Sequence, residues 1–490
     1  MHYIPPEDRQ QFTFMHSLDD MVGSDHYVRL LDALVEQVVS ANPEAFSYKG
    51  QHNSGRRAYS PATMLKLYLY GYLNSIKSSR KLERETYRNI EVIWLLGNLK
   101  PDHKCISDYR KDNPDSIKFI TKRFRQFLKD NGYIKGSLVA IDGTKVKANA
   151  NRNPVKLKKI EERLTGLDKK IERYLELLME NDQRESGYEE ETSDNEIDPP
   201  NPGNRKLLDK IAALTEQVEK LKEQKHFLEE QSRTNLSPSD PDARLMKSRD
   251  GNIPSYNVQS VVDEENKMIA HTEVFDSPVD NVLLEPVLDG LAEEMEIIPD
   301  AAVGDCGFYN TGQIESVETR QATTCYVSIP QQKAAEEISF IYVKEQDEYR
   351  CSEDKRLPLK QKNKFNKGQF YDVYQGIECN DCRLKSKCTK STYGRTIYRS
   401  ENHEWQKKYR RRMAGPIAKQ MIQLRKEIVE HPFGTIKYWM GKIPLLLRGK
   451  VKVATEINIY STAYNFRRLL SIESFHDILD MIQQYDWKMA

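Results

Sequence analysis

Two short apolar runs, Leu138-Val139-Ala140-Ile141 and Ala301-Ala302-Val303-Gly304, each lead straight into an aspartate, Asp142 and Asp305. Continuous apolar runs this short, bounded by turn residues, read as buried strands with a carboxylate at the end. Between them Tyr256, Val258, Ser260 and Val262 mark another strand. Asp263-Glu264-Glu265-Asn266-Lys267 supplies turn chemistry, and Met268 to Val274 reads as the return strand of a hairpin. Val282 to Met295 is an amphipathic helix and Thr324 to Ile329 a further strand. Strand, hairpin, helix, strand is the order of a mixed α/β nuclease-type domain.

Helical patterns stand before and inside this domain. Val28, Leu30, Leu31, Leu34, Val35 and Val38 form a stripe, and Ser60-Pro61 is a helix start with a capping hydroxyl and proline at the first helical position. A third helix is expected over Leu82 to Leu96. After the break at Lys100-Pro101-Asp102 a basic helix is expected from Ile106 to Lys129, with Arg110 and Lys111 on it. Short helices with basic surfaces suit a helix-turn-helix-like DNA reader, and equally any small helical bundle. Leu157, Ile160, Leu164, Leu167, Ile171, Tyr174 and Leu178 alternate at spacings of three and four, and Leu207 to Leu228 repeats the pattern. These heptad segments predict an antiparallel helical hairpin inserted after the first strand. The acidic stretch Asn181 to Asn204 would be its disordered tip.

The net charge of +1 conceals a strong local asymmetry. Arg383 to Arg412 holds 11 Lys/Arg against 2 Glu, whereas Asn181 to Pro200 holds 8 Asp/Glu against 1 Arg. Phosphate binding responds to local clusters, so Arg410, Arg411 and Arg412 are candidate DNA contacts. No run of eighteen apolar residues exists and Met1 to Asp20 lacks the apolar core of a signal peptide, so a cytoplasmic, nucleoid-associated location with no membrane partner is expected. The seven cysteines are odd in number, which argues for reduced thiols. Cys351, Cys379, Cys382 and Cys388 gather in one stretch, and four thiolates can make a tetrahedral zinc site. Free thiols are the competing reading.

Two strand-end carboxylates invite a metal-site reading, because phosphodiester chemistry with a pair of Mg²⁺ ions needs several carboxylates around the metals. A lone aspartate at a strand end is more often a cap or turn residue. The third candidate lies in Val429-Glu430-His431-Pro432-Phe433-Gly434-Thr435-Ile436-Lys437. Glu430 and Lys437 are two helical turns apart there, on one face if the helix continues through Pro432 and Gly434.

Ile141-Asp142-Gly143-Thr144, Val303-Gly304-Asp305-Cys306-Gly307-Phe308-Tyr309 and Val429 to Lys437 resemble the three signature blocks of the DDE transposases of bacterial insertion sequences. Pro61 to Asn113, with Leu67-Tyr68-Leu69-Tyr70-Gly71-Tyr72 and Pro101-Asp102-His103, is similar to their N-terminal helical domain. The basic Cys-containing segment and Tyr464-Asn465-Phe466-Arg467-Arg468 match as well. The resemblance implies an RNase H-like mixed-sheet catalytic core with an N-terminal all-α DNA-binding domain. In it Asp142 would bridge two Mg²⁺ (or Mn²⁺) ions, Asp305 and Glu430 would each hold one, and Lys437 would contact a phosphate near the transposon end. In related transposases a Tyr and an Arg precede the Glu by seven and four residues. Here Gln423 and Lys426 stand there, with Arg425 adjacent, and Lys426 is carried over as a DNA contact.

The expected organisation is a helical DNA-binding domain over 1–136, a catalytic domain over 137–470 with the coiled-coil hairpin at 155–232, a basic Cys-containing insertion at 345–412, and a tail at 471–490. The implied activity is Mg²⁺-dependent cleavage and strand transfer of double-stranded DNA, at terminal inverted repeats and target, by a homodimer. A nuclease or resolvase without strand transfer, and a non-catalytic DNA-binding relative, are the alternatives.

Overall fold

The computed structural model describes residues 17–46, 58–151, 153–186, 202–248, 251–330, 338–366, 369–400, 402–439 and 444–488. The first stripe forms α1 (Tyr27–Ala41), which buries all six apolar residues named above. In α2 (Pro61–Leu73) the Ser60 side chain accepts from Thr63 N at 3.1 Å, and nearly every residue is buried. The stretch Leu82 to Leu96 is two helices rather than one, α3 (Ser79–Arg88) and α4 (Ile90–Leu95). Asn89 is extended and its Oδ1 accepts from Glu91 N at 3.0 Å and Val92 N at 3.4 Å, so it ends one helix and caps the next. The expected basic helix is also two, α5 (His103–Asp112) and α6 (Pro114–Asp130). Proline cannot continue α5 but suits the first position of α6.

The mixed sheet begins with β1 (Leu138–Lys147), which runs well past Asp142, so this aspartate lies within the strand rather than at its end. A small ladder of β2 (Val155–Lys156) with β3 (Asn235–Leu236) closes the base of α7 (Leu157–Ser186) and α8 (Pro202–Glu230). Ile160 packs with Leu228, Lys225 pairs with Glu161 at 3.3 Å, and Asn181 donates to Asn204 at 3.0 Å, so the two helices lie antiparallel. Most of the acidic tip, residues 187–201, lies outside the described residues.

The sheet continues with β4 (Arg244–Ser248), β5 (Gly251–Asp263) and β6 (Ile269–Phe275), then α9 (Leu284–Met295), β7 (Ala301–Gly304), α10 (Thr311–Arg320) and β8 (Thr324–Val327). Strand order is β4-β5-β1-β7-β8, with β6 on the same edge of β5 as β4. β5 is antiparallel to β1, whereas β1, β7 and β8 are mutually parallel. A second sheet has the order β13-β12-β11-β10-β9, from β9 (Phe340–Val343), β10 (Glu348–Cys351), β11 (Arg356–Asn366), β12 (Gln369–Gln375) and β13 (Thr396–Ser400). The one-turn helix α11 (Lys385–Cys388) precedes β13, and α12 (His403–Ala414), α13 (Pro416–Trp439), α14 (Lys450–Leu470) and α15 (Phe475–Gln484) complete the chain. Trp405 on α12 packs, stacked on Tyr409 with centroids 5.2 Å apart.

One apolar cluster joins the N-terminal helices, the sheet, α14 and α15. Asn465 of α14 pairs with the open edge of β6, accepting from Ile269 N at 2.8 Å and donating to Ile269 O at 2.9 Å. Arg125 of α6, 1% exposed, donates to Glu294 at 2.9 Å, Thr272 at 2.7 Å and Ser461 at 2.8 Å, and so ties α6 to α9, β6 and α14. Glu294 also meets His271 Nδ1 at 2.6 Å. Burial opposes the Glu294 charge, but the Arg125 charge and His271 prevail and hold its pKa at about 2. Burial likewise opposes the His271 charge, yet the Glu273 and Glu294 carboxylates raise its pKa above the ordinary value. Burial keeps Arg125 below the usual guanidinium range, so the pair is worth less than the Glu294 shift alone suggests.

Candidate active site

The parallel ladder pairs Leu138 with Ala301, Val139 with Ala302 and Ala140 with Val303. Continued by two residues, the register sets Asp142 level with Asp305, on neighbouring strand paths about 4.8 Å apart. Side chains two residues apart share a face of a strand. Ala140 and Val303 face α13, where Ile428 and Val429 pack against them and Val262. Both aspartates therefore project on the face that α13 covers. Arg425 of α13 meets both, its Nη2 lying 2.8 Å from Asp142 Oδ1 and 3.7 Å from Asp305 Oδ2. A single guanidinium thus offsets the repulsion between two adjacent carboxylates.

Local sequence explains each placement. Asp305 leaves β7 and caps the turn that follows, its Oδ1 accepting from Gly307 N at 2.8 Å. The capping role and a ligand role involve different oxygens, because Arg425 approaches Oδ2. A Cβ on Gly143 would stand 2.4 Å from Gln259 Nε2, so glycine leaves room for the Gln259 side chain of neighbouring β5 on the sheet face opposite Asp142. Gln259 and Asn257 both donate to Asp280 Oδ1, at 3.1 and 2.6 Å. Asp280 adjoins Gly307 and is a carboxylate near the site that sequence reading missed.

Glu430 is on α13 and exposed, five residues beyond Arg425 and so about 7.5 Å further along the helix axis. The helix continues through Pro432 to Trp439, which puts Glu430 and Lys437 on one helix. His431 Nδ1 lies 2.9 Å from the Tyr464 hydroxyl, which donates to Lys267 O at 2.7 Å and anchors this part of α13 to α14. Burial, with Arg468 and Lys267 nearby, lowers the His431 pKa. Among the described residues no group of three or more His, Cys, Asp or Glu side chains holds a metal-ready arrangement as it stands.

The expected DNA contacts divide. Lys111, Lys426, Arg410 and Arg411 are exposed. The position of Lys437 is given by the helix alone. Arg110 is a correction: it is 3% exposed and donates to the Tyr72 hydroxyl at 3.2 Å and Lys77 O at 3.4 Å, so it holds α5 to α2 and cannot reach a phosphate. Arg123 and Arg125 of α6 are buried in the same way. Arg412 is half-buried, pairs with Glu318, donates to Cys325 O at 3.2 Å and lies over the Tyr409 ring. Sequence reading counted these cations as surface because charge was tallied without the helix face each occupies.

Cys351, Cys379, Cys382 and Cys388, all with free thiols, line one cavity beside the second sheet. Burial raises the Cys388 pKa, with Arg395 opposing and the three other cysteines adding to it.

Two family models match the chain: Transposase domain (DUF772) over residues 16–112 and Transposase DDE domain over residues 350–470. The second segment contains Glu430 and the four clustered cysteines, while Asp142 and Asp305 lie outside it. No curated protein matches significantly. Among solved structures the chain is similar to the piggyBac transposase in a synaptic complex with hairpin DNA, at 8% identity and a TM-score of 0.30, covering 94% of this chain and 79% of that one. A likeness that low says nothing further about the fold. Both matched segments are those of transposase domains, consistent with a DDE transposase. No helix among the described residues is long and apolar enough to cross a membrane.

Proposed function

We propose that this transposase binds the double-stranded ends of an insertion sequence and performs metal-dependent DNA cleavage and strand transfer at Asp142, Asp305 and Glu430. The observation that carries this reading is the level pair Asp142 and Asp305 on one sheet face, bridged by Arg425 of the helix that also bears Glu430. The sheet order supports an RNase H-like core, with β5 antiparallel to β1 and the next two strands parallel to it.

The residues fit Mg²⁺ or Mn²⁺. The donors are hard carboxylate oxygens, and the position between the aspartates already attracts a cation, the Arg425 guanidinium. Asp142, Asp305 and Glu430 would hold the metal, which when bound activates water or a DNA hydroxyl and stabilises charge on the phosphate. Arg425 keeps the two carboxylates together until they are loaded and is then free to pair with a DNA phosphate. Gly307 N fixes one Asp305 oxygen and leaves the other toward Arg425. Lys426, Lys437, Lys111, Arg410 and Arg411 would contact DNA as phosphate-neutralising cations, and the DNA-bound complex would be a homodimer.

The test uses duplex DNA carrying the sequences that flank the gene. Wild-type protein with Mg²⁺ should cut at the element ends and join a pre-cut end to a second duplex. Asp142→Asn, Asp305→Asn and Glu430→Gln should each reduce both steps to background while retaining end binding. Cleavage without joining would instead make the protein a nuclease, and cleavage by any of the three variants at the wild-type rate would remove that residue from the site.

A further inference from the structure

The second sheet is poorly supplied with core. Its own buried cluster is Tyr349, Leu357 and Tyr374, while Ile341, Phe370, Ile377, Tyr393 and Tyr398 are exposed on the same module. A unit of roughly 60 residues with so few buried side chains needs a further cross-link to hold its strands. The described cysteines there form no disulfide.

Four thiols converge where such a link would act. Cys351 ends β10, Cys379 and Cys382 lie in the turn after β12, and Cys388 ends α11. They surround a cavity of about 20 Å³. That is room for one water-sized occupant. The turn is shaped around a sulfur: Cys382 N donates to Cys379 O at 3.4 Å, and Arg395 N donates to Cys379 Sγ at 3.4 Å. Two glycines make space for that sulfur. A Cβ on Gly376 would come within 2.4 Å of Cys379 Sγ. One on Gly394, which has φ +87°, would meet Gly376 O at 2.4 Å and Cys379 Sγ at 3.2 Å. Lys355, Lys385 and Arg395 also line the cavity and would offset the negative charge of a four-thiolate centre.

We propose that Cys351, Cys379, Cys382 and Cys388 bind one structural Zn²⁺ that clamps the turn after β12 and the end of α11 to β10. The four thiols are not assembled as a metal site as they stand, and the proposal requires rotation about their Cα–Cβ bonds to bring the sulfurs to tetrahedral separation. All four positions being protein ligands leaves no open site, so the ion stabilises and takes no part in DNA chemistry. The ion holds the sheet from which α12 and its exposed Arg410 and Arg411 follow in the chain.

The experiment uses the full-length protein purified without added metal. Elemental analysis should find about one zinc per chain. Replacement by Co²⁺ should give the intense visible absorption and thiolate charge-transfer bands of a tetrahedral four-sulfur site. Cys379→Ser and Cys388→Ser should each lose the metal or weaken those bands, while Cys105→Ser, remote from the cavity, should not. Protein that is folded and metal-free, a Co²⁺ spectrum without thiolate bands, a disulfide among the four cysteines, or zinc unaffected by Cys379→Ser and Cys388→Ser would each overturn the proposal. The wild-type Co²⁺ spectrum decides the matter even if the serine variants fail to fold.

Discussion

Replacing Arg125 with Met removes a guanidinium that is 1% exposed and leaves the half-buried Glu294 with His271 as its hydrogen-bonded partner and Lys118 nearby. The magnitude follows in two ways. Removing one member of a buried ion pair typically costs about 3–5 kcal/mol, because the other charge is stranded. Separately, Glu294 is held at about 2 instead of 4.5 by Arg125 together with His271 and Lys118, which at roughly 1.4 kcal/mol per pKa unit corresponds to about 3.5 kcal/mol shared among the three. The burial that lowers Arg125 makes this an upper value for the intact pair. Arg125→Met should therefore destabilise by roughly 3 kcal/mol, whereas Arg125→Met with Glu294→Gln should recover about half, since no stranded carboxylate remains. The assay is a double-mutant cycle by urea denaturation, followed by tryptophan fluorescence: Trp487 is buried and stacks on Phe127 of α6, with centroids 5.1 Å apart. A loss below about 1 kcal/mol for Arg125→Met, or a double variant as damaged as the sum of the singles, would refute the role given to this network.

The same network sets a pH dependence. Glu294 has a depressed pKa, so its stabilisation is present above the ordinary 4.5 and is lost as pH falls from there toward about 2. His271 has a raised pKa, so its share is complete below 6.5 and is lost as pH rises through the folded value. Thermal denaturation across pH should show both flanks, and Glu294→Gln should flatten the acid one. Arg425→Gln should raise Mn²⁺ affinity in the absence of DNA by about tenfold, the worth of a charge-assisted hydrogen bond. Calorimetric titration giving unchanged or weaker affinity would mean Arg425 does not compete for the carboxylates. Arg410→Ala with Arg411→Ala should weaken binding to end DNA and unrelated DNA alike and make the salt slope shallower by about 2. A sequence-selective loss would show that these residues read bases.

How much was legible depended on what each residue's signal encodes. The stripe Val28 to Val38, the Ser60 cap and the β5–β6 hairpin were legible because period and turn chemistry are local. Asn89, by capping α4, and Pro114, which cannot continue α5, divide the expected helices, because one such residue outweighs an apolar period that runs on past it. Asp142 was read as a strand end because the apolar run stops there. The strand goes on through Thr144 and Val146, which alternate with polar residues as β1 passes along β5. The second sheet went unread, since β9 and β10 have only four residues each and β11 is a largely polar, basic stretch. Arg110 and Arg125 look like surface cations until the opposing helices and strands are in place. The sequence had placed Arg425 only as a neighbour of Lys426, and its link to Asp142 and Asp305 emerges from α13 crossing the sheet.

The central claim is that Asp142, Asp305 and Glu430 form one divalent-metal centre. Anomalous diffraction from crystals of the protein with bound DNA ends and Mn²⁺ locates the ion directly. The account predicts Mn²⁺ within bonding distance of the Asp142 and Asp305 carboxylates, Glu430 completing the set, and Arg425 withdrawn from between the aspartates. Mn²⁺ bound elsewhere on the chain, with Arg425 still bridging Asp142 and Asp305, would contradict it.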